Sequence, residues 1–213
     1  MDYAFLSTTP LKDVQFVSLD LETTGLDPLK SEIIEIAGIR FSKDNELERF
    51  HSFCRPSGNI PYEATKVHGL TKEMLQKESR FSTVYPDLLK FLDNSILVIQ
   101  NSVFDASFLN QSVSDIGEVF PNFPVFCTLQ MTRKHFPKLE KYNLGALRKV
   151  FNITKTLERS EQKEFHEALD DAYAAMVVFK KCIESIHGWD KTFNETVFHE
   201  KNLNYTSQFK KES

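Results

Sequence analysis

The sequence predicts an α/β domain in which helices flank a mixed central β-sheet, and three observations support this. Apolar runs of strand length follow one another at short spacing up to residue 54. Farther along, short apolar runs alternate with stretches whose apolar residues recur at helical spacing. With 213 residues, 41% of them hydrophobic, the chain can bury one sizeable core. Strands first, then alternating helices and strands, are typical of such a sandwich.

The first part of the chain predicts a three-strand antiparallel meander. We expect a strand at the apolar run 16–19, a second over 32–41 and a third over 49–54. A polar turn at 42–45 separates the second strand from the third, and such close spacing favours antiparallel neighbours.

Beyond the meander, helices are predicted to alternate with parallel strands. Thr71 and Ser82 are residues that cap helices, so we expect a helix after each of them. A Gly residue after a periodic apolar pattern ends a helix, which places the last helix before Gly188. The other expected elements are a strand at 96–99, a helix over about 102–113, a loop at 115–124, a strand at 125–128, short helices to 153, an exposed and mobile segment at 154–164, and a long helix from about 165 or 166 to 186.

These elements predict one domain over residues 1–188 and a tail over 189–213. The tail mixes aromatic residues with Asn, Lys and Glu and has no clear period. The sequence leaves open whether it packs as a final short element, stays disordered or binds a partner.

Composition bounds the environment of the protein. The net charge of −4 gives no overall basic field for nucleic acid, although bound divalent cations would offset carboxylates locally. The 3 Cys residues lie far apart and fit neither a disulfide framework nor a zinc motif, which favours a reducing compartment. No segment has the pattern of a secretion signal or a membrane span, so we expect a cytoplasmic protein with no membrane partner.

A pair of acidic residues, Asp20 and Glu22, follows the first apolar run. Because side chains alternate along a strand, both carboxylates should point to one face while Val17, Leu19 and Leu21 point to the other. Two adjacent carboxylates at a buried strand repel each other unless a cation lies between them. The pair predicts either a metal site or a strand that ends in acidic loop residues.

Two further acidic positions open predicted helices. Asp105 falls in a first helical turn, where an acid also stabilises the helix by itself. In the last helix, Asp171 lies on the edge of the apolar face and Asp170 nearly opposite, so we expect Asp171 against the protein and Asp170 in solvent. His166 joins such a site if it lies on the approach to this helix; alone, it reads as an exposed loop histidine.

Together these acids follow the order Asp-x-Glu, Asp, His-x-x-x-x-Asp, and the chain resembles the DEDDh family of 3′–5′ exonucleases. The resemblance runs from about Phe16 to Met176 and includes flanking residues. These are Asp20-Leu21-Glu22-Thr23-Thr24-Gly25-Leu26, Ile33-Ile34-Glu35-Ile36, Pro61, Glu63-Ala64, Val67-His68-Gly69-Leu70-Thr71, Asn101, Phe104-Asp105, Phe108-Leu109, Leu144, Ala146-Leu147, His166, Ala168 and Asp171-Ala172.

The resemblance implies a ribonuclease H-like fold and phosphodiester hydrolysis with two Mg²⁺ or Mn²⁺ ions, whose preferred ligands are oxygen atoms. It implies that Asp20 bridges the two ions, that Glu22 and Asp171 bind the ion carrying the water, and that Asp105 supports the other. His166 would be the general base, since the ordinary pKa of histidine lies near working pH.

The resemblance also implies substrate contacts. Thr24 and Leu26 would meet the terminal nucleotides, with Leu26 as an apolar wedge, and Glu63 and His68 would surround the terminal sugar, while Asn101 belongs to the same set. Read without the family, Leu26 is equally a core leucine and His68 a turn residue. The basic stretch predicts either a single-strand track or a solvated surface, and comprises Arg133, Lys134, His135, Lys138, Lys141, Arg148 and Lys149, with Phe136 and Tyr142 between them.

The chain departs from the family at two positions. Gln100 stands where the family usually has His, which keeps hydrogen-bonding capacity and loses a titratable ring. Cys127 stands where many members have Asp, which we interpret as a packing change.

The predicted function is 3′–5′ exonucleolytic release of nucleoside 5′-monophosphates from single-stranded or frayed DNA ends. An alternative is trimming of RNA 3′ ends, because the same site tolerates a 2′-hydroxyl unless something blocks it. Another is a subunit that edits when a DNA polymerase presents the primer, with the 189–213 tail as docking segment.

Overall fold

The central sheet has five strands in the part of the chain that this computed structural model describes, residues 3–154 and 167–197. The strands are β1 (Phe16–Thr23), β2 (Ile33–Phe41), β3 (Glu46–Phe53), β4 (Ile96–Ile99) and β5 (Val125–Cys127). Their order is β3-β2-β1-β4-β5. The first three form the antiparallel meander, whereas β4 runs parallel to β1 and β5 parallel to β4. The predicted mixed α/β sheet is confirmed.

Helices cover both faces of this sheet. Two of them pack on one face, and the longest crosses the other, where it contacts β1, β2 and β4. The helices are α1 (Tyr62–His68), α2 (Phe81–Leu92), α3 (Ser102–Asp115), α4 (Thr128–His135), α5 (Leu144–Val150), α6 (Glu167–Ser185) and α7 (Phe193–Val197). Short 3₁₀ helices lie at Ala4–Ser7, Leu11–Asp13 and Gly188–Asp190.

Alternation along β1 feeds two separate apolar clusters. Phe16 points to the α6 side, where its ring lies 5.0 Å from that of Phe179. Val17 and Leu19 point to the other side and join the cluster built by α2 and α3. Each cluster fixes its own helices to the same strand, so the face of every later β1 residue is set by this period of two.

The helix predicted after Thr71 is wrong, and a helix not predicted there, α1, precedes it. The backbone N–H of Leu75 bonds the Thr71 carbonyl at 3.3 Å, but the bonds that follow span three residues, so the chain forms turns. α1 begins after Pro61 and ends at Gly69, whose φ of 76° is left-handed. Proline at the start and glycine past the end are a readable helix signature.

Other boundaries differ by a few residues. β1 continues to Thr23 because its pairing with β2 outlasts its pairing with β4. α2 begins at Phe81, so Ser82 lies inside it and does not cap it.

The first part of the 189–213 segment packs against the core, one of the three alternatives the sequence left open. Trp189 and Phe193 are buried in the α6-side cluster, and the backbone N–H of Leu11 bonds the Lys191 carbonyl at 2.8 Å. Residues 198–213 and nearly all of the predicted mobile segment, 155–164, lie outside the described residues. Within the described ranges, no helix combines the length and apolar character needed to cross a bilayer.

Candidate active site

Asp20 and Glu22 lie on the α6 face of β1, as the alternation predicted, with Leu19 and Leu21 on the other face. Both acids belong to the strand itself and not to a loop after it. They pair with β2, where Asp20 is opposite Ala37, while the parallel partner β4 ends opposite Leu19. The two carboxylates therefore lie where one side of β1 has lost its neighbouring strand.

The end of β4 brings Asp105 to this opening. The chain leaves β4 through Asn101, whose φ of 58° is left-handed, and α3 begins at Ser102. This places Asp105 in the first turn, where it is 4% exposed. Burial is the main cause that raises the pKa of Asp105 well above its ordinary value, and the negative charge of Glu22 adds a smaller increase. A hydrogen bond from the Asp105 backbone N–H lowers the pKa and partly offsets both.

A buried hydrogen bond fixes α6 against the same strand. Ser18 Oγ donates to the Ala172 carbonyl at 2.6 Å, and Ser18 lies two residues before Asp20 on the same face of β1. Because Asp171 precedes Ala172, the bond sets the Asp171 carboxylate beside the β1 acids.

Asp20 is the electrostatic centre of this group. Burial raises its pKa well above the ordinary value, and neighbouring negative charges raise it further. Those charges belong, in decreasing order, to Asp105, Asp171, Glu22 and Glu35. The structure thus brings together the four carboxylates that the sequence selected and adds a fifth.

These carboxylates suit a hard divalent cation, although they do not form a finished ligand set. Within residues 3–154 and 167–197, no three His, Cys, Asp or Glu side chains converge as closely as metal ligands do. Carboxylates this near repel one another, and Asp171 pairs with Arg148 at 2.8 Å. The donor set is all oxygen, and its repulsion is what a divalent cation would relieve, so the residues fit Mg²⁺ or Mn²⁺.

The expected burial of the two α6 acids is wrong. Asp170 is 7% exposed, while the Asp171 side chain is 41% exposed. The apolar stripe of the sequence identifies only one buried face of α6. The helix also packs over β2, and the negative charge of Asp170 acts on Arg49 of β3. Asp171 instead faces the opening beside β1, where it keeps solvent access.

His166 lies outside the described residues, so its role as general base stays a prediction. The described helix begins at the next residue, Glu167.

The predicted substrate residues differ in their exposure to solvent. Leu26 is 85% exposed, which excludes the alternative of a core leucine. Thr24 is buried, and its Oγ1 accepts the backbone N–H of Glu32 at 2.9 Å, so its side chain holds the β1–β2 turn. Glu63, at the start of α1, and Asn101 are exposed.

His68 is 4% exposed and lies at the end of α1. Its Nδ1 accepts the backbone N–H of Leu70 at 3.0 Å, which leaves the proton of the neutral ring on Nε2. Burial lowers the pKa of His68, and the backbone of Thr23 partly offsets this, which locates the ring at the end of β1. The histidine is neutral at neutral pH.

The basic stretch divides into exposed and engaged residues. Arg133 lies over the Tyr142 ring, with its guanidinium carbon 5.8 Å from the centroid. Lys138, Lys141 and Lys149 are exposed. Arg148 differs from them because it is committed to Asp171, and this pairing was not predicted.

Glu35 is the other residue that the sequence did not single out for the site. It is 1% exposed, faces Glu22 across the β1–β2 pair, and bonds His51 Nε2 at 2.8 Å. Finding it required the β1–β2 register, which the spacing of a predicted meander leaves open.

The two departures from the family pattern have structural roles. Gln100 Nε2 donates to the Tyr142 carbonyl at 3.0 Å, and Gln100 Oε1 accepts from Thr128 Oγ1, so its side chain ties the end of β4 to α4 and to the loop before α5. Cys127 is buried on β5, in agreement with a packing change.

Comparisons with known proteins agree with this geometry. The family model for exonucleases of the ribonuclease T type matches residues 17–179. The chain is 34% identical to the DNA polymerase III subunit epsilon of Aquifex aeolicus over 177 residues, covering 83% of this chain and 84% of that protein. It is 32% identical to the PolC-type DNA polymerase III of Clostridium perfringens over 188 residues, covering 86% of this chain but only 12% of that longer protein.

Solved structures share the fold. Exonuclease X in complex with 5′ overhanging duplex DNA superposes with a TM-score of 0.66 at 21% identity, covering 85% of this chain and 98% of that one. E. coli Exonuclease I in complex with a dT13 oligonucleotide gives 0.69 at 17% identity, covering 88% and 43%. With the match to the family model and the motifs in order, the chain belongs to the exonuclease family.

Proposed function

We propose that this protein is a metal-dependent 3′–5′ exonuclease that releases nucleoside 5′-monophosphates from single-stranded or frayed 3′ ends of DNA. The observation that carries the proposal is that β1, the start of α3 and the start of α6 meet at one opening of the sheet, with Asp20 and Glu22 on β1, Asp105 on α3 and Asp171 on α6. The raised pKa of Asp20 agrees with this arrangement. Acids that are wholly or partly buried next to one another are costly for folding, and such arrangements are concentrated at functional sites.

Asp20, Glu22, Asp105 and Asp171 would hold two Mg²⁺ or Mn²⁺ ions. When bound, the ions supply a nucleophile at neutral pH and stabilise the charge that develops on the phosphate and on the leaving 3′-oxygen. Because these ligands bind as carboxylates, the raised pKa values of Asp20 and Asp105 would make metal binding stronger as pH rises.

The other residues of the site would orient the substrate. Leu26 projects from the β1–β2 turn with most of its side chain in solvent, which suits insertion beside a terminal base. His68 is fixed by the Leu70 N–H, and its buried Nε2, which has no hydrogen-bond partner among the described residues, is the atom that would bond the terminal sugar. Glu63 and Asn101 are exposed and free to contact a sugar or base, and Thr24 would act by holding the turn that carries Leu26.

His166 would be the general base that accepts the proton of the attacking water. Its distance from Asp171 along the chain suits a residue on the approach to α6, and the ordinary pKa of histidine is close to working pH.

DNA is the proposed substrate because two similar relatives are named as a PolC-type DNA polymerase III and as the subunit epsilon of DNA polymerase III. A second candidate is RNA, since one structural neighbour, the nuclease domain of a DEDDh family member, is bound to rAMP. The same polymerase names support a DNA polymerase as partner, with residues 198–213 as the docking segment. The three buried free cysteines support a reducing compartment such as the cytoplasm.

The test is a gel assay of the purified chain on 5′-labelled single-stranded DNA and RNA of matched sequence with Mg²⁺, Mn²⁺ or EDTA. A metal-dependent ladder that shortens from the 3′ end supports the proposal, and the faster strand identifies the substrate class. Asp20→Asn serves as the inactive control. Digestion that survives EDTA, or that the Asp20→Asn variant retains, would remove the mechanism.

Dependence on a partner is tested on a chain shortened to residue 197. This truncation keeps Trp189 and Phe193, whose burial makes a cut at residue 188 unsuitable. Loss of polymerase binding with full activity on free strands would support a docking role for 198–213, and unchanged binding would contradict it.

A further inference from the structure

Arg148 is built into the candidate site and does not belong to the solvated surface of α5. Its Nη2 donates to the Asp170 carbonyl and to Asp171 Oδ1, the latter at 2.8 Å. The Arg148 side chain is 16% exposed, against 41% for the Asp171 side chain. One guanidinium therefore holds both the backbone and the carboxylate at the first turn of α6.

The backbone beneath this guanidinium is rigidly placed. Asn143 caps α5, with its Oδ1 accepting the Ala146 N–H at 2.9 Å, and Leu147 is completely buried. The Arg148 carbonyl accepts the Ile153 N–H at 2.8 Å. Because the helix is anchored at both ends, less of the entropy cost that weakens surface ion pairs applies to this pair.

The guanidinium of Arg148 occupies an oxygen of Asp171 that a divalent cation at this site would also use. Ser18 Oγ, two residues before Asp20 on β1, bonds the Ala172 carbonyl at 2.6 Å, so the Asp171 carboxylate on the preceding residue belongs to the same group of charges. The Arg148 guanidinium adds a positive charge to this group of acids, next to Asp171 Oδ1, the oxygen to which it donates a hydrogen bond. A divalent cation at Asp171 must share the carboxylate with the guanidinium and also faces its positive charge.

We propose that Arg148 is a positioning residue that acts as an internal counter-ion and competes with the divalent cation for Asp171. The inference rests on the proposed metal site. Arg148 stabilises the metal-free site by compensating one carboxylate, and it raises the cation concentration needed to load the site. Metal binding then requires that the cation displace the Arg148–Asp171 ion pair and that the acidic side chains move together around it.

The test is a titration of the full chain with Mn²⁺ in the absence of nucleic acid. Binding is measured from the electron paramagnetic resonance signal of the Mn²⁺ that remains free. Arg148→Gln and Arg148→Met remove the charge, and Met keeps the apolar stem that packs beneath it. We expect both to bind Mn²⁺ more tightly than the wild type, by about tenfold, as for the loss of a partly buried competing charge. Arg148→Lys should stay near the wild type.

Lys149→Gln is the matched control, since it removes the same charge from the next, exposed position of α5. Its Mn²⁺ affinity should equal that of the wild type. A merely structural Arg148 predicts weaker binding in the neutral variants, because Asp171 would lose its support. Weaker or unchanged binding in the neutral variants overturns the proposal.

A second measurement separates failure of this inference from failure of the proposed function. Thermal unfolding in EDTA of Arg148→Gln, Asp171→Asn and the double variant gives the coupling between the two side chains. Coupling together with tighter Mn²⁺ binding supports the counter-ion. Coupling in a chain that binds no Mn²⁺ overturns the metal site and the competition with it, and absence of coupling overturns the ion pair itself.

Discussion

Asp20 on β1 and Asp171 on α6 carry the same group to one opening, but their surroundings differ. Asp20 lies among other acids, and its pKa is raised by burial and by their charges. Asp171 is partly exposed and paired with Arg148. On the β1–α3 side of the site, the acids repel one another, and folding must overcome this repulsion. On the α5–α6 side, Arg148 compensates the charge of Asp171. This contrast teaches that a proposed set of ligands can hold electrostatic repulsion on one side while a neighbouring residue, Arg148, relieves it on the other.

The largest expected effect is on cleavage, and it should be shared by both sides. Asp20→Asn and Asp171→Asn should each lower the rate of release of 5′-monophosphates by a factor of about 10³ or more, because each removes a ligand of the proposed ions. Single-turnover digestion of labelled DNA at saturating Mg²⁺ measures this. Near-normal cleavage by either variant would separate that residue from the reaction.

His166→Ala should cost a factor of about 10²–10⁴ in rate, the usual contribution of a general base. Mn²⁺ affinity of this variant should remain close to that of the wild type, since histidine is not among the proposed ligands. Equal losses in binding and rate would instead make His166 a ligand.

In the metal-free protein, the change in unfolding free energy should have opposite signs for a substitution on the β1–α3 side and for one on the α5–α6 side. Asp20→Asn removes a half-buried charge that neighbouring acids repel and should raise the free energy of unfolding in EDTA by about 1–3 kcal/mol. Asp171→Asn leaves the Arg148 guanidinium without its counter-charge and should lower it by about 1–2 kcal/mol. Urea unfolding at neutral pH measures both, and shifts of the same sign would contradict the contrast.

The pH dependence of that stability follows from the raised pKa values of Asp20 and Asp105. Between their unfolded and folded pKa values, the folded protein binds more protons, so their contribution to the unfolding free energy decreases as pH rises. We expect the advantage of Asp20→Asn over the wild type in EDTA to be absent near pH 3 and to grow as pH rises above 4. An advantage that is constant with pH would remove the electrostatic explanation.

The smallest effect concerns Leu26. Leu26→Ala should leave the unfolding free energy within about 0.5 kcal/mol, because the side chain is 85% exposed. It should nevertheless lower kcat/KM on single-stranded DNA by about tenfold, the value of one stacked base contact. Leu29→Ala, at a position 76% exposed on the same turn, is the matched control and should have no effect on either quantity.

Local patterns predicted much of this molecule. Alternation along β1 placed Asp20 and Glu22 on one face, and the apolar run at 96–99 was found with its exact ends, because both depend on neighbouring residues alone. The same applies to the first turn of α3, which carries Asp105.

Several predictions failed because they required knowledge of distant partners. The burial of Asp170 depends on where α6 lies over β2 and on how near this brings Asp170 to Arg49, which one apolar stripe does not reveal. The Arg148–Asp171 pair joins residues 23 apart in sequence, and the opposition of Glu35 and Glu22 needs a strand register. By contrast, α1 was missed although it has a local signal, the Pro61 and Gly69 that bound it.

The most direct test of the account is thermal unfolding of the wild type and Asp20→Asn, each in EDTA and in saturating Mn²⁺. If the carboxylates gather around Asp20 to hold a cation, the wild type should be the less stable protein in EDTA. Mn²⁺ should then stabilise it well beyond Asp20→Asn, so that the order reverses. A wild type that is the more stable protein in EDTA, or an equal gain from Mn²⁺ in both proteins, would contradict the account.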